Sequence, residues 1–305
     1  MFHEGEREIQ RRAGVERVAA QVGANNIVPW LPPGFGEFLA RQPFVVIAGT
    51  DNDGRVWASP LVGGVGFARA LDNRRVSLAA DPPAGDPLEH MLGGPDARIG
   101  ILAIEFVTRL RIRLNGLAER TPDGIVLTVE EAFGNCPKFI QRRLPAGRLE
   151  PARASRHADG NALDADQVRI VARADTFFIA SAHQERGADA SHRGGRPGFV
   201  EVSPDGSEVV FPDYPGNRMF QTLGNLTVDP RAGLLFLDWE TGTALQVTGR
   251  AEIVWDEDEV GTRPGAERLV RVAVDAVHEQ PGAIPARWEL IEPSRLNPPV
   301  RWESA

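Results

Sequence analysis

"DPRAGLLFLDWETGTALQVTGRA", residues 229–251, reads as a turn, an apolar strand, a second turn and an alternating strand. A blurred copy, "DARIGILAIEFVTRLRIRLNGLA", occupies residues 96–118, and the two align without a gap at a constant offset of 133 (229 minus 96). Asp96/Asp229, Arg98/Arg231, Gly100/Gly233, Leu102/Leu235, Thr108/Thr241, Gly116/Gly249 and Ala118/Ala251 are identical. The same offset sets "FVVIAG" from Phe44 against "FFIASA" from Phe177, Gly54 against Gly187 and Pro82 against Pro215. A period this long exceeds the roughly 20–50 residues of a solenoid repeat, so it marks two similar domains in tandem.

The rest of the composition agrees. A chain of 305 residues is longer than the usual single core of about 100–200 residues. Its 42% hydrophobic and 25% charged residues are those of a soluble globular protein, and no apolar run approaches the roughly 18 residues of a membrane span. "MFHEGEREIQRRAGV" carries charges of both signs and no apolar core, unlike a secretory signal, so a cytoplasmic location is expected. One cysteine, Cys136, builds neither an intrachain disulfide nor a cysteine metal site. A net charge of −8 gives no reason to expect nucleic acid as a partner.

Residues 1–42 read as a helical extension, with helix formers over 3–20 and a short helix from Gly34 to Arg41 ended by Pro43. Residues 43–147 form the first domain: strand, Asp-Asn-Asp-Gly turn and strand from Phe44, a further strand "RRVSLAA", a helical turn or two at "DPLEHML", the paired strands of the repeat, and a last strand running into a helix. Residues 148–166 are polar and read as a linker. Residues 167–260 repeat the order, with a short helix at "NRMFQTLGNL", and 261–305 are expected to hold a helix near "GAERLVRVAVDAV" and a tail. Each half is therefore read as a small antiparallel barrel of about six strands.

No nucleophile elbow, phosphate-binding loop or zinc-protease signature is present, and the six histidines show no ligand spacing. Candidate chemistry sits in the second half. "GADASHRGG" places Ser191, His192 and Arg193 before two glycines, a combination that is either an exposed loop or an anion nest. "FPDYPGNRMFQTLGNL" places Asn217, Arg218 and Thr222 around a helix start, where free amides and the helix dipole favour an anion. At the offset of 133 the first half has Ala58 against Ser191 and Ala84 against Asn217, so a single site is expected.

These segments, with "DPRAGLLFLDWETG", "LQVTGRAEI" and "EEAFGNCPKFIQRR", resemble the pyridoxamine 5'-phosphate oxidase-like family of FMN-binding split barrels, in a two-barrel branch, over about residues 1–280. The resemblance implies a mostly β fold, two tandem split barrels with peripheral helices forming a pseudo-dimer within one chain, and FMN in the cleft between them. It implies that Ser191, His192 and Arg193 lie on the phosphate-gripping strand and that Asp213 and Tyr214 end the following strand. Asn217, Met219 and Thr222 fall in the loop and helix start, and Gln246 at a polar contact to the flavin ring. Asn135, Cys136, Lys138 and Arg142 come from the facing barrel, in the segment that closes over the cofactor. The family's paired basic residues on the phosphate strand reduce here to Arg193, and its Arg-x-His element near the C-terminus is missing, which argues against a vitamin B6 phosphate substrate. The activity implied is flavin-dependent redox of a small molecule, with NADH or NADPH as a possible reductant and no metal. The alternatives are a non-catalytic binder of flavin, F420 or haem, and a thiol function at Cys136 beside Lys138. The implied assembly is a monomer or a homodimer.

Overall fold

The computed structural model describes residues 2–91, 97–148, 156–158 and 160–301. Three helices open the chain: α1 (Glu4–Arg12), α2 (Glu16–Asn26) and α3 (Phe35–Ala40). His3 caps α1 in a reciprocal capping box with Glu6. The first barrel follows as β1 (Phe44–Thr50), β2 (Val56–Val62), β3 (Ala68–Ala70), β4 (Arg75–Leu78), β5 (Arg98–Glu105), β6 (Leu110–Thr121) and β7 (Gly124–Gly134). Two strands, β8 (Arg142–Arg148) and β9 (Arg156–Ala158), and helix α4 (Ala165–Arg173) lead to the second barrel. It comprises β10 (Thr176–His183), β11 (Gly187–Gly194), β12 (Glu201–Val202), β13 (Glu208–Asp213), helix α5 (Gln221–Val228), β14 (Arg231–Leu237), β15 (Ala244–Val254), helix α6 (Glu257–Gly261) and β16 (Arg268–Gln280). A last strand, β17 (Ala286–Glu292), pairs with β8.

The two sheets have the same strand order. The first runs β2-β1-β5-β6-β7-β4-β3 and the second β11-β10-β14-β15-β16-β13-β12, with every pairing antiparallel. Even the β-bulge is copied, between Asn115 and Gly116 in one and Thr248 and Gly249 in the other. The duplication read from residues 96–118 and 229–251 thus extends over the whole barrel, and the mostly β architecture of two tandem split barrels holds. The β17–β8 ribbon is antiparallel, with Arg142 opposite Glu292 and Arg148 opposite Ala286.

Alternation along the buried strands builds three cores. On β1, Val45 and Ile47 point into the first barrel, while Phe44, Val46 and Ala48 point out of it. On β10, Phe177 and Ile179 point into the second barrel, and Phe178, Ala180 and Ala182 point out. The outward sets meet, joined by Leu102 and Ile104 from β5 and Leu235 and Leu237 from β14, in one apolar layer between the barrels. This explains why these strands read as unbroken apolar runs: both faces are buried. Gly100 and Gly233 let the backbones touch there, since a Cβ on either would lie 2.6 Å from Asp189 Cα or Trp57 Cα respectively.

Several expectations are corrected. Among the described residues the first sheet has seven strands and the second eight, the eighth being β9 paired with β16, where about six were expected in each. The helix expected near "GAERLVRVAVDAV" is β16, whose apolar residues Leu269, Val270, Val272 and Val274 are buried between β15 and β13. The second barrel therefore continues to Gln280, and the segment after it is strand β17. After β7 the chain turns at Asn135–Gln141 without a helix, and the described part of "DPLEHML", residues 86–91, forms turns. Asp96 and residues 149–155 and 159 of the expected linker lie outside the described residues; α4 takes up the linker's end.

The register also shifts one correspondence. Val46 faces Leu102 in the first sheet, and Phe178 faces Leu235 in the second. The outer strands are thus offset by 132 (178 minus 46), the central strands by 133 (235 minus 102). Ser59, not Ala58, is the counterpart of Ser191 (191 minus 132), so the first barrel retains that hydroxyl.

Candidate functional site

A cationic cleft lies where α5 of the second barrel meets the segment after β7 of the first. Its walls include Arg111, Arg113, Asn135, Cys136, Lys138 and Phe139 from the first barrel, and Ser191, His192, Arg193, Asp213, Tyr214, Asn217, Arg218, Gln221 and Thr222 from the second. Of the residues singled out from sequence, eleven therefore meet in one cleft, and they come from both barrels.

Local strain shapes it. Among the described residues four non-glycine residues have positive φ, and three of them, Phe139, Arg218 and Phe220, line this cleft. Such conformations cost on the order of 1–3 kcal/mol each and concentrate at functional sites. Phe220, at φ 60°, is the residue before α5, and no side chain caps the helix there. The first amides of α5 thus have no capping side chain, at the positive end of the helix dipole. Arg268, buried at 2% exposure, stacks over the Phe220 and Trp255 rings with its guanidinium carbon 4.9 Å from each centroid, and holds the turn. Gly194 is required on β11 because a Cβ would come 2.0 Å from the Phe139 carbonyl oxygen.

The charges are unevenly balanced. Arg193 pairs with Asp213, which also lies 3.6 Å from Arg268. Arg113 pairs with Asp189 and donates to Gln221 Oε1 at 3.1 Å, so it ties the first barrel to α5. Arg111 has no carboxylate partner among the described residues: it donates to His192 Nδ1 at 2.8 Å and reaches Cys136 Sγ at 4.0 Å. Burial, only partly offset by Cys136, pushes the Arg111 guanidinium down to about 10. Burial, then Arg111 and Arg193, hold His192 well below its usual range, so its ring is neutral. Because Nδ1 accepts from Arg111, Nε2 carries the ring proton, and that donor is unpartnered, as are Arg111 Nε and Arg193 Nε. Among the described lining residues Asp213 is the one carboxylate, against Arg111, Arg113, Lys138, Arg193 and Arg218. Arg111, Arg113 and Gln221 were not singled out from sequence, since alternating arginines on "RLRIRL" read equally well as the solvent face of a strand.

Three expected site residues stand elsewhere. Met219 is buried at 1% exposure behind the cleft, its carbonyl accepting from Gln10 Nε2 of α1 at 3.0 Å. Arg142 lies on β8 opposite Glu292 and does not line the cleft. Gln246 is on the far side of the pseudo-two-fold, fully buried, and donates to Ser59 Oγ at 2.7 Å and the Ala58 carbonyl at 3.1 Å. That location is the mirror image of the cleft. At offset 133, Ala244 and Gln246 replace Arg111 and Arg113 there, and at offset 132 Leu61 replaces Arg193. The retained Ser59 donates to Asp86 at 2.8 Å, and burial pushes the Asp86 carboxyl up to about 6. The mirror position has lost its cations and is closed by the chain itself.

A separate cluster of His3, Glu4 and His183 has ligand-type atoms within 4.8 Å of one another. The Nδ1 atoms of His3 and His183 accept from the Gly5 and Glu185 amides, at 3.2 and 3.1 Å. Each Nε2 therefore carries a proton, facing Asn225 Oδ1 at 2.9 Å and Glu4 Oε1 at 3.5 Å respectively. Those tautomers suit a pin that fastens α1 to α5 and β10, not two metal ligands.

Residues 163–297 match the family model described as pyridoxamine 5'-phosphate oxidase. No curated protein matches. Among solved structures, a Lactobacillus delbrueckii protein described as a candidate pyridoxamine 5'-phosphate oxidase is 16% identical, with a TM-score of 0.34, covering 40% of this chain and 97% of that one. A FAD-binding protein from Mesorhizobium loti is 13% identical, with a TM-score of 0.30, covering 42% and 96%. A FAD-binding protein from Mycobacterium smegmatis is 15% identical, with a TM-score of 0.28, covering 42% and 98%.

Proposed function

We propose, from the premise that residues 163–297 form a domain of the pyridoxamine 5'-phosphate oxidase family, that the chain is an FMN-dependent oxidoreductase with one cofactor site, in the cationic cleft between its barrels. The observation that carries this is the convergence of Arg193, Ser191, Thr222 and the uncapped start of α5 on one face of the cleft, with Arg111 and Arg113 opposite. A phosphate is the acceptor this donor set suits.

The cavity measures about 90 Å³, the share of roughly three waters, and so takes a phosphate as it stands. Room for the ring system has to come from side chains at the mouth, where Arg218 is exposed. In this reading Arg193, oriented by Asp213, and the hydroxyls of Ser191 and Thr222 grip the phosphate. Asn217, whose Oδ1 accepts from the Met219 amide at 3.0 Å, fixes the loop before α5. From the facing barrel, Arg111, Asn135, Cys136 and Lys138 border the remainder, and Lys138 Nζ already reaches across to the Pro215 carbonyl at 3.2 Å. The bound flavin would supply the electron-transfer chemistry. The chain's own residues orient it, exclude water and offer the neutral His192 Nε2–H as a fixed donor.

An absorption spectrum of the purified protein, with FMN added, followed by anaerobic NADH and NADPH, tests this. A flavin spectrum that bleaches with turnover is expected. A stable flavin spectrum that no small-molecule reductant bleaches would leave a binder, and a protein that takes up no flavin would remove the reading.

A further inference from the structure

Among the described residues helix α1 contributes nothing to the lining of the cationic cleft, yet it braces the turn that shapes it. That turn holds Arg218 and Phe220 at φ 63° and 60°, with Met219 buried between them. Such backbone persists only where its surroundings over-determine it. Met219 is gripped at both ends: its amide donates to Asn217 Oδ1 and its carbonyl accepts from Gln10 Nε2, each at 3.0 Å. Gln10 lies on α1 and is 1% exposed. A planar trans peptide sets the Phe220 N–H antiparallel to the Met219 carbonyl, so Gln10 fixes the direction of the amide at the entry to α5.

A second route runs through aromatic rings. Arg12, at the end of α1, has its guanidinium carbon 4.1 Å from the Trp255 ring centroid, and Arg268 lies 4.9 Å from that ring and 4.9 Å from the ring of Phe220. The two helices themselves meet backbone to backbone, since a Cβ on Gly224 of α5 would come 2.6 Å from Glu6 Cα of α1. His3 Nε2 donates to Asn225 Oδ1 at 2.9 Å, and Asn225 donates in turn to Ser181 Oγ at 3.0 Å, which ties the start of α1 through α5 to β10. A displacement of α1 therefore reaches the turn before α5 by both routes.

We propose that α1 is a positioning element for the anion site at the start of α5, with Gln10 as the principal positioning residue and Arg12 as the second. The proposal rests on the reading that the cleft takes a phosphate group. A turn already held in shape binds without a further ordering cost, so loosening it weakens the grip on phosphate and leaves contacts to the rest of the ligand in place. Linkage makes the effect reciprocal: a bound phosphate tightens α1 against α5.

Equilibrium titration of the full chain with FMN and, as the phosphate-free control, riboflavin tests it. Gln10→Leu keeps the bulk and removes the donor; it is expected to weaken FMN by about fivefold or more, the scale of one hydrogen bond, and riboflavin by less than about twofold. Arg12→Ala, a change on an exposed side chain, should lower the preference for FMN over riboflavin about twofold. A folded Gln10→Leu protein that keeps the wild-type preference, whether both ligands are unaffected or both are weakened alike, would overturn the proposal. If Gln10→Leu does not fold, Arg12→Ala decides by the same criterion. A wild-type chain that takes up no FMN would remove the flavin reading instead, and inorganic phosphate then decides the proposal: it is expected to slow hydrogen exchange in Glu4–Arg12, and unchanged exchange there would overturn it.

Discussion

Arg193 is the residue on which the phosphate reading turns, because Asp213 already holds its guanidinium in place and the binding cost of ordering it is reduced. Arg193→Ala is expected to weaken FMN by about 1.5–3 kcal/mol, roughly tenfold to a hundredfold, the scale of a charge-assisted hydrogen bond. Fluorescence titration of FMN into the folded variant measures it, and an unchanged dissociation constant would move the phosphate elsewhere. The mirror position yields a pH prediction. Asp86 is an acid whose folded value is raised by burial to about 6, so the folded state binds the extra proton. Its contribution to stability is full below about pH 4 and lost as pH rises through about 6. Asp86→Asn keeps the acceptor for the Leu88 amide and should stabilise the protein by up to about 3 kcal/mol at pH 7–8, with the gain fading toward pH 4. Denaturant melts of both proteins across that range check it, and a gain that grows toward acid would contradict the assignment. Arg193, Ser191 and Thr222 could be singled out in the sequence as candidates for an anion site, and they line one cleft. Arg111 and Arg113 could not, since a strand's pattern does not say which face another domain covers.

At the scale of elements, the two barrels are held in register by backbone contact where β5 and β14 cross β11 and β2. Gly233→Ala would drive a Cβ to 2.6 Å from Trp57 Cα and the Val56 carbonyl oxygen, and Gly100→Ala would do the same at Asp189. Each is expected to cost about 1–3 kcal/mol, the scale of overpacking, and to lower the thermal midpoint. Gly134→Ala, with nothing within 4 Å of its added Cβ, should leave the midpoint nearly unchanged. Equal behaviour of Gly233→Ala and Gly134→Ala would contradict the close approach. The repeat made these glycines visible and their pairing at offset 133 was correct; what they approach was not readable. The β16 segment was misread as a helix because alanines and arginines among its valines suit either state, and only its place between β15 and β13 decides. The one-residue slip that set Ala58 against Ser191 has a similar cause: a single offset fits the central strands but not the outer hairpin.

For the whole molecule, the apolar layer between the barrels means that neither half has a finished surface. Residues 160–301 expressed alone would expose Phe178, Leu235, Leu237 and Trp239 and are expected to self-associate or aggregate; a soluble, monomeric, FMN-loaded fragment would contradict the intrachain pseudo-dimer. Duplication also explains the asymmetry. Once both barrels lie on one chain, the two clefts are free to diverge: one keeps Arg111, Arg113 and Arg193, and the other, with Ala244, Gln246 and Leu61, folds shut on Ser59 and Asp86. The most direct measurement is therefore the stoichiometry of FMN in an equilibrium titration of the full chain. One molecule per chain is predicted, and two per chain, or none, would contradict the account.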